Sequence, residues 1–226
     1  MPKAIKKKIE PIKKKEDIQT VLTKARAFFT MEKKYRLIAF SVVSLIVLVL
    51  VGFLYLRNKE RNAEELFYEG YKLYYGLYQR QPQSQVERLS KALDSFKSAY
   101  KAKGSALSLY YIANCYYGLQ KYDDAISSLR ELNQRFPDDE RFVPLTYYKM
   151  SMASLKKGNK EEALKYLEIL YNYKGIAYDD IALMESANIL DEMGKTKEAK
   201  EKYEQVIKDF SWSPLSEQAK ARLKKG

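Results

Sequence analysis

The sequence predicts an all-α chain: a single transmembrane helix followed by a helical-repeat (α-solenoid) domain. Three observations carry this. Residues 37–56 form an uninterrupted apolar run. Three later segments share one pattern in register, marked by Ala125, Ala163 and Ala199, which lie 38 and 36 residues apart. Charge is also segregated: of the net +12, a net +8 precedes residue 37, the apolar run has none, and residues 57–226 hold only +4.

The basic tail, residues 1–36, carries twelve Lys/Arg against four acids. Within it, Ile18, Val21, Leu22, Ala25, Phe28 and Phe29 recur at helical spacing, with Lys24 and Arg26 off that stripe. Residues 17–29 therefore read either as a short amphipathic helix on the inner leaflet, helped by attraction of Lys to anionic lipid, or as part of a disordered basic tail that only sets topology. Residues 1–15 read as disordered.

The run 37–56 reads LIAFSVVSLIVLVLVGFLYL. At about 1.5 Å rise per residue it extends roughly 30 Å as a helix, the thickness of the hydrocarbon core. Ser41 and Ser44 are its strongly polar side chains, and a helix back-bonds them to its own carbonyls. A buried helix of a soluble domain is normally shorter and shows a polar stripe, and this run has neither property. Tyr35 and Tyr55 sit at its edges, where amphipathic rings favour the headgroup level. The apolar run exceeds the usual signal-peptide core of about 7–15 residues, and no small-x-small site follows it, so the expectation is an uncleaved anchor. The Lys/Arg imbalance predicts a cytoplasmic N-terminus and a large domain on the far side of a bacterial inner membrane; Arg57, Lys59 and Arg61 weigh against that orientation.

Residues 57–226 read as four helix–turn–helix units and a cap, at about 59–105, 106–139, 144–177, 180–213 and 214–224. Gly158 and Gly194 occupy the turns of the last two units, where a left-handed backbone is needed. The second unit departs from this, with Gln120 at that position. Small residues (Ala113, Ser151, Ala187) let paired helices approach, and Tyr116, Leu129, Leu167 and Tyr203 fill the space between. The first unit is degenerate: a helix over 62–78 with Gly70 at the close-approach position, a loop at 80–85 containing Pro82, and a helix over 88–101 bearing Ala92, Phe96 and Ala99. Residues 214–223 form a cap with Lys220, Arg222, Lys224 and Lys225 outward, as arrays require.

The spacing is close to the period of about 34 of tetratricopeptide (TPR) repeats, and residues 59–226 resemble a TPR array. The whole layout is similar to the ancillary SecYEG translocon subunit family (YfgM-like): a tail ending in Phe28-Phe29, one membrane helix, a tyrosine-rich helix and TPR-like units, the last reading YDDIALMESANILDEMGKTKEAKEKYEQVIKDFSWSPLSEQAKARL. This resemblance implies an inner-membrane protein whose periplasmic domain contacts the Sec translocon and periplasmic chaperones, acting as a chaperone-like or adaptor module for secreted polypeptides. Other envelope TPR proteins share the layout, so a structural scaffold of a division or outer-membrane assembly is the second reading.

In TPR arrays the first helix of each unit lines the concave face. The family's positional pattern places Tyr110, Asn114 and Tyr117 there, then Tyr148 and Met152, then Met184, Asn188 and Asp191. Paired asparagines such as Asn114 and Asn188 also occur in TPR domains that clamp a C-terminal carboxylate, but Leu107, Tyr110, Ile181 and Met184 stand where those need Lys or Arg. The face is instead aromatic and Met-bearing, suited to extended or partly unfolded apolar segments. Part of the tyrosine content is expected to pack between repeats instead.

Composition points away from an enzyme. Histidine is absent, which removes the usual general base and metal ligand. A lone Cys115 forms neither an internal disulfide nor a CxxC site and reads as a small buried side chain. The sequence has no Gly-rich phosphate loop and no nucleophile elbow. The pairs Asp123-Asp124, Asp138-Asp139 and Asp179-Asp180 read as charge at helix N-termini, not as metal ligands. A nearly neutral domain is also a poor nucleic-acid binder. No cofactor, metal or small-molecule substrate is expected.

Overall fold

The computed structural model describes residues 19–24, 26, 30, 32–77, 83–174 and 177–224. Among these there are nine principal helices: α1 (Lys33–Tyr75), α2 (Gln85–Ala102), α3 (Ala106–Gly118), α4 (Tyr122–Arg135), α5 (Val143–Lys156), α6 (Lys160–Tyr171), α7 (Asp179–Glu192), α8 (Thr196–Asp209) and α9 (Pro214–Leu223). The chain divides into two units, Met1–Asn58 and Lys59–Gly226. Of the amphipathic stretch at 17–29, residues 19–24 and 26 are helical and exposed; Phe28 and Phe29 lie outside the described residues.

In the first unit, α1 contains a window long and apolar enough to cross a membrane, with none of it buried against protein. Ser41 donates its hydroxyl to the Ile38 carbonyl at 2.8 Å, so its polarity is absorbed within the helix. By length and composition this is a candidate membrane span.

In the second unit, helices pack in chain order from α2 to α9, and α9 also touches α7. α1 runs to Tyr75, where the sequence suggests Tyr78; Gly76 takes a left-handed backbone, φ 67°, and stops it. Of the loop at 80–85, residues 80–82 lie outside the described residues. Starts are locally specified. Ser84, Ser105, Asn159 and Ser213 each accept a backbone N–H from the first turn of α2, α3, α6 and α9, satisfying donors that no helical carbonyl reaches. The acidic pairs have similar local roles. Asp123 and Asp124 sit in the first turn of α4 and Asp179 and Asp180 in that of α7, where the dipole favours them. Asp139 is held by Arg141, which keeps its carboxyl below the usual range, while Asp180 accepts the Ser213 hydroxyl at 2.6 Å.

The turns inside the units are left-handed at one residue each: Gly158 at φ 81°, Gly194 at φ 75°, and Gln120 at φ 61°. Gln120 therefore performs the glycine's task despite its Cβ, a strain of roughly 1 kcal/mol. The small residues Ala113, Ser151 and Ala187 are all buried, as are Leu129, Leu167 and Tyr203 opposite them, whereas Tyr116 is only half-buried. Phe96 of α2 fills the space above Gly70, where a Cβ on Gly70 would stand 2.8 Å from its ring. Burying a side chain such as Phe96, Leu129 or Leu167 stabilises by about 1.5–3 kcal/mol each, so the core is distributed along the array and not concentrated at one point.

Polar contacts tie each unit to the next. Tyr100 donates to Glu131 at 2.9 Å, Arg130 to the Tyr166 hydroxyl at 2.6 Å, and Gln205 to the Tyr171 hydroxyl at 2.8 Å. Lys157 pairs with Asp123, and Lys160 with Glu192. The partners are 31 to 36 residues apart, about one repeat, as nearest-neighbour coupling requires.

Two substitutions test the close-approach rule in opposite directions. Helix propensity alone favours Gly70→Ala by about 1 kcal/mol, but the contact with Phe96 predicts a net loss, since overpacking costs about 1–3 kcal/mol. Ser151 buries a hydroxyl with no partner among the described residues. Ser151→Ala is therefore expected to stabilise the domain by about 1 kcal/mol, the order of an unmet buried polar group. Denaturant midpoints of the full chain decide both.

Cys115 provides an independent readout. It is fully buried, and burial pushes its thiol up to about 12, so the reactive thiolate is scarce in the folded state. Alkylation near neutral pH should be negligible in the native chain and proceed only on local opening. Gly70→Ala should speed it and Ser151→Ala should slow it; rapid labelling of the native wild type would contradict the burial.

Candidate functional site

Half-buried side chains on the first helices of the middle units pack partly against the core and keep the rest of their surface exposed. α3 contributes Tyr110, Asn114 and Tyr117, all half-buried. Tyr110 stacks obliquely on Phe142, 5.3 Å between centroids, and Asn114 hydrogen-bonds its hydroxyl. Tyr117 meets Tyr122 edge-on at 5.4 Å. α5 contributes Tyr148, Lys149 and Met152, half-buried as well. The Lys149 ammonium lies 5.6 Å from the Tyr117 ring centroid, within cation–π reach. Tyr148 is close enough to Tyr117 and to Glu185 of α7 to feel both.

The electrostatics follow from partial burial. Desolvation is the leading cause that raises the Tyr110, Tyr117 and Tyr148 hydroxyls, so these phenols stay neutral. Burial lowers Lys149 and raises Glu185, and the Asn188 amide partly offsets the latter.

The sequence-derived residues thus fall into three places. Tyr110, Asn114, Tyr117, Tyr148 and Met152 share the face just described. Asn188 accepts the Tyr203 hydroxyl at 2.9 Å, and Asp191 is exposed beside a cavity of about 430 Å³ lined also by Thr196, Lys200, Tyr203 and Arg222. Met184 is 4% exposed and packs into the core with Leu183, Ala187 and Tyr203, so its side chain contributes no groove surface. A second cavity, about 390 Å³, lies between the last turns of α1 and the start of α3, lined by Ala63, Phe67, Tyr68, Lys103 and Leu107.

Sequence reasoning passed over Tyr111, Lys149 and Glu185. All three stand two positions before the small close-approach residue of their units (Ala113, Ser151, Ala187), and this shared register was the available signal. Tyr111 is the hub of an aromatic cluster that joins the first two units: Phe67 at 5.3 Å, Tyr74 at 5.5 Å and Phe96 at 5.0 Å surround it. Its hydroxyl lies 3.3 Å from that of Tyr75.

No catalytic arrangement is evident among the described residues. The half-buried acid and base stand one unit apart without pairing, and the phenols are held protonated. What this face offers is contact area, amide hydrogen bonding and two desolvated charges, which is the chemistry of binding.

A search of curated proteins finds no match. Among solved structures, the crystal structure of MamA superposes with a TM-score of 0.45 at 22% identity, over 54% of this chain and 68% of that one. The model of the tetratricopeptide repeat-like domain matches residues 33–225, nearly the whole length, and the chain accordingly belongs to that family.

Proposed function

We propose that this chain is a membrane-anchored TPR module that binds polypeptides, placed by its apolar helix at the bacterial inner membrane, with the TPR domain in the periplasm and the N-terminus in the cytoplasm. TPR-like domains are protein-interaction modules, which supports polypeptide binding. The observation that carries the reading is the half-buried run Tyr110–Asn114–Tyr117–Lys149–Tyr148–Glu185, in which three tyrosines pack one side against the core and keep part of their surface exposed beside two charges. The apolar stretch 37–56 supports the anchor, and the basic tail supports the orientation. The resemblance to the ancillary translocon subunits supports the finer reading: the partners are the Sec translocon, periplasmic chaperones and emerging secreted chains.

The test is site-specific crosslinking in the intact membrane protein. A photoreactive residue at Tyr117 or Tyr148 should capture Sec subunits, chaperones or unfolded secretory chains, and one at exposed Lys165 of α6 should capture far less. Capture of division or outer-membrane components instead would select the scaffold reading. Absence of any polypeptide adduct at Tyr117 and Tyr148 would end the binding reading for this face. Protease added to spheroplasts should digest the repeat domain; protection until the membrane is dissolved would reverse the orientation.

A further inference from the structure

Lys149 and Glu185 stand apart from the ion-paired charges of the repeat domain. Lys157, Lys160, Arg130, Lys103 and Lys91 all have carboxylate partners. Lys149 has none among the described residues and lies instead over the Tyr117 ring. Glu185 has the Asn188 amide and no cation among the described residues. Both are half-buried. They do not pair with each other, although they hold the same register position in adjacent units. Withdrawing a charge from water is unfavourable unless a counter-charge or hydrogen bonds replace the lost hydration. An exposed lysine on a solvated surface has no such problem, but these two sit beside the half-buried rings of Tyr117 and Tyr148.

We propose that this face takes an extended polypeptide segment bearing both charges: an acidic side chain seats on Lys149 beside Tyr117, and a basic side chain seats on Glu185 beside Tyr148. The inference rests on the polypeptide-binding reading above and gives it a sequence preference. Charge complementarity favours this occupant over a purely apolar segment, which would leave both charges buried and unpaired. Each pairing forms next to an aromatic ring, in surroundings drier than bulk water, where a charge-assisted hydrogen bond is strongest. Asn114 and Asn188 are engaged with Tyr110 and with Tyr203 and Glu185, and Leu107, Tyr110, Ile181 and Met184 stand where a terminal-carboxylate clamp carries Lys or Arg, so the acid recognised is a side chain.

The experiment uses the full chain in mild detergent and fluorescence anisotropy. The probes are labelled Ser/Leu host peptides, acetylated and amidated so that no terminal charge competes. They carry Asp and Arg at varied separations, with Asn, Gln or both as neutral replacements. The Asp/Arg peptide at its best separation should bind most tightly. Neutralising either residue should weaken binding about tenfold, the scale of one charge-assisted hydrogen bond. Lys149→Met should erase the preference for Asp over Asn, Lys149→Arg should keep it, and Glu185→Gln should erase the preference for Arg over Gln. Lys149→Glu should prefer peptides with Lys in place of Asp. Melting curves confirm that each variant is folded. Binding that ignores peptide charge, or preferences that survive Lys149→Met and Glu185→Gln, overturns the proposal while leaving polypeptide binding intact. If neither charged nor neutral peptides bind, the broader reading falls with it.

Discussion

The repeat domain depends on one steric constraint, the close approach of two helices at a single small residue per unit. Gly70, Ala113, Ser151 and Ala187 hold that place, and all four are buried. The space their missing side chains leave is taken by Phe96, Leu129, Leu167 and Tyr203 from the partner helix. Interiors packed at crystal density transmit such a constraint without slack. With the axes held close, the connection must reverse within a few residues, and one residue per turn goes left-handed. Gly158 and Gly194 do so without penalty, while Gln120 shows that the packing behind a turn can enforce the geometry against the residue's own preference.

The same constraint separates positions that the fold dictates from positions it leaves open. Facing residues of a pair are committed to packing and read as Ala, Leu and Phe. Two positions before the small residue, the side chain points away from the partner helix, and the units carry Tyr111, Lys149 and Glu185 there. At that position Tyr111 is claimed by the aromatic cluster between the first two units, whereas Lys149 and Glu185 are charged and belong to no apolar cluster. Sites on repeat folds are grafted onto such positions, since a change there leaves the scaffold untouched. Lys149 and Glu185 even work mildly against stability through desolvation, which is common where a surface is arranged for a partner.

Much of the fold was legible in the sequence because its causes are local. The spacing of Ala125, Ala163 and Ala199 exposes the repeat, the glycines mark the turns, and the Ser and Asn caps mark helix starts. The site was less legible. A positional pattern taken from a family assumes that every unit presents the same face. It fails for Met184, since α7 is covered by α8 and the cap helix and packs Met184 into the core. Lys149 stayed hidden for a different reason. A lysine in a helix reads as a solvated charge, and its burial and the Tyr117 ring beneath it come from an adjacent unit, which no local window contains.

The tyrosines show how one residue type serves both scaffold and site. A phenol buries a large apolar ring and still needs a partner for its hydroxyl. In the scaffold that partner is supplied: between units Tyr100 has Glu131, Tyr166 has Arg130 and Tyr171 has Gln205, and within the last unit Tyr203 has Asn188. Each of the first three is both core filler and cross-repeat staple, so replacing it by Phe keeps the packing and removes the register-fixing bond. On the open face the balance differs. Tyr117 and Tyr148 are ringed by other phenols and by one charge each, and no protein partner fixes their hydroxyls among the described residues. Their rings are already half-desolvated and held by neighbours, so a bound segment orders little that is not already ordered, which limits the entropic penalty of binding. The hydroxyls remain free to turn toward whatever backbone groups arrive. A face built this way is tolerant of sequence in its apolar contacts and selective only where Lys149 and Glu185 demand a counter-charge, a combination suited to engaging many chains that share a charge pattern and little else.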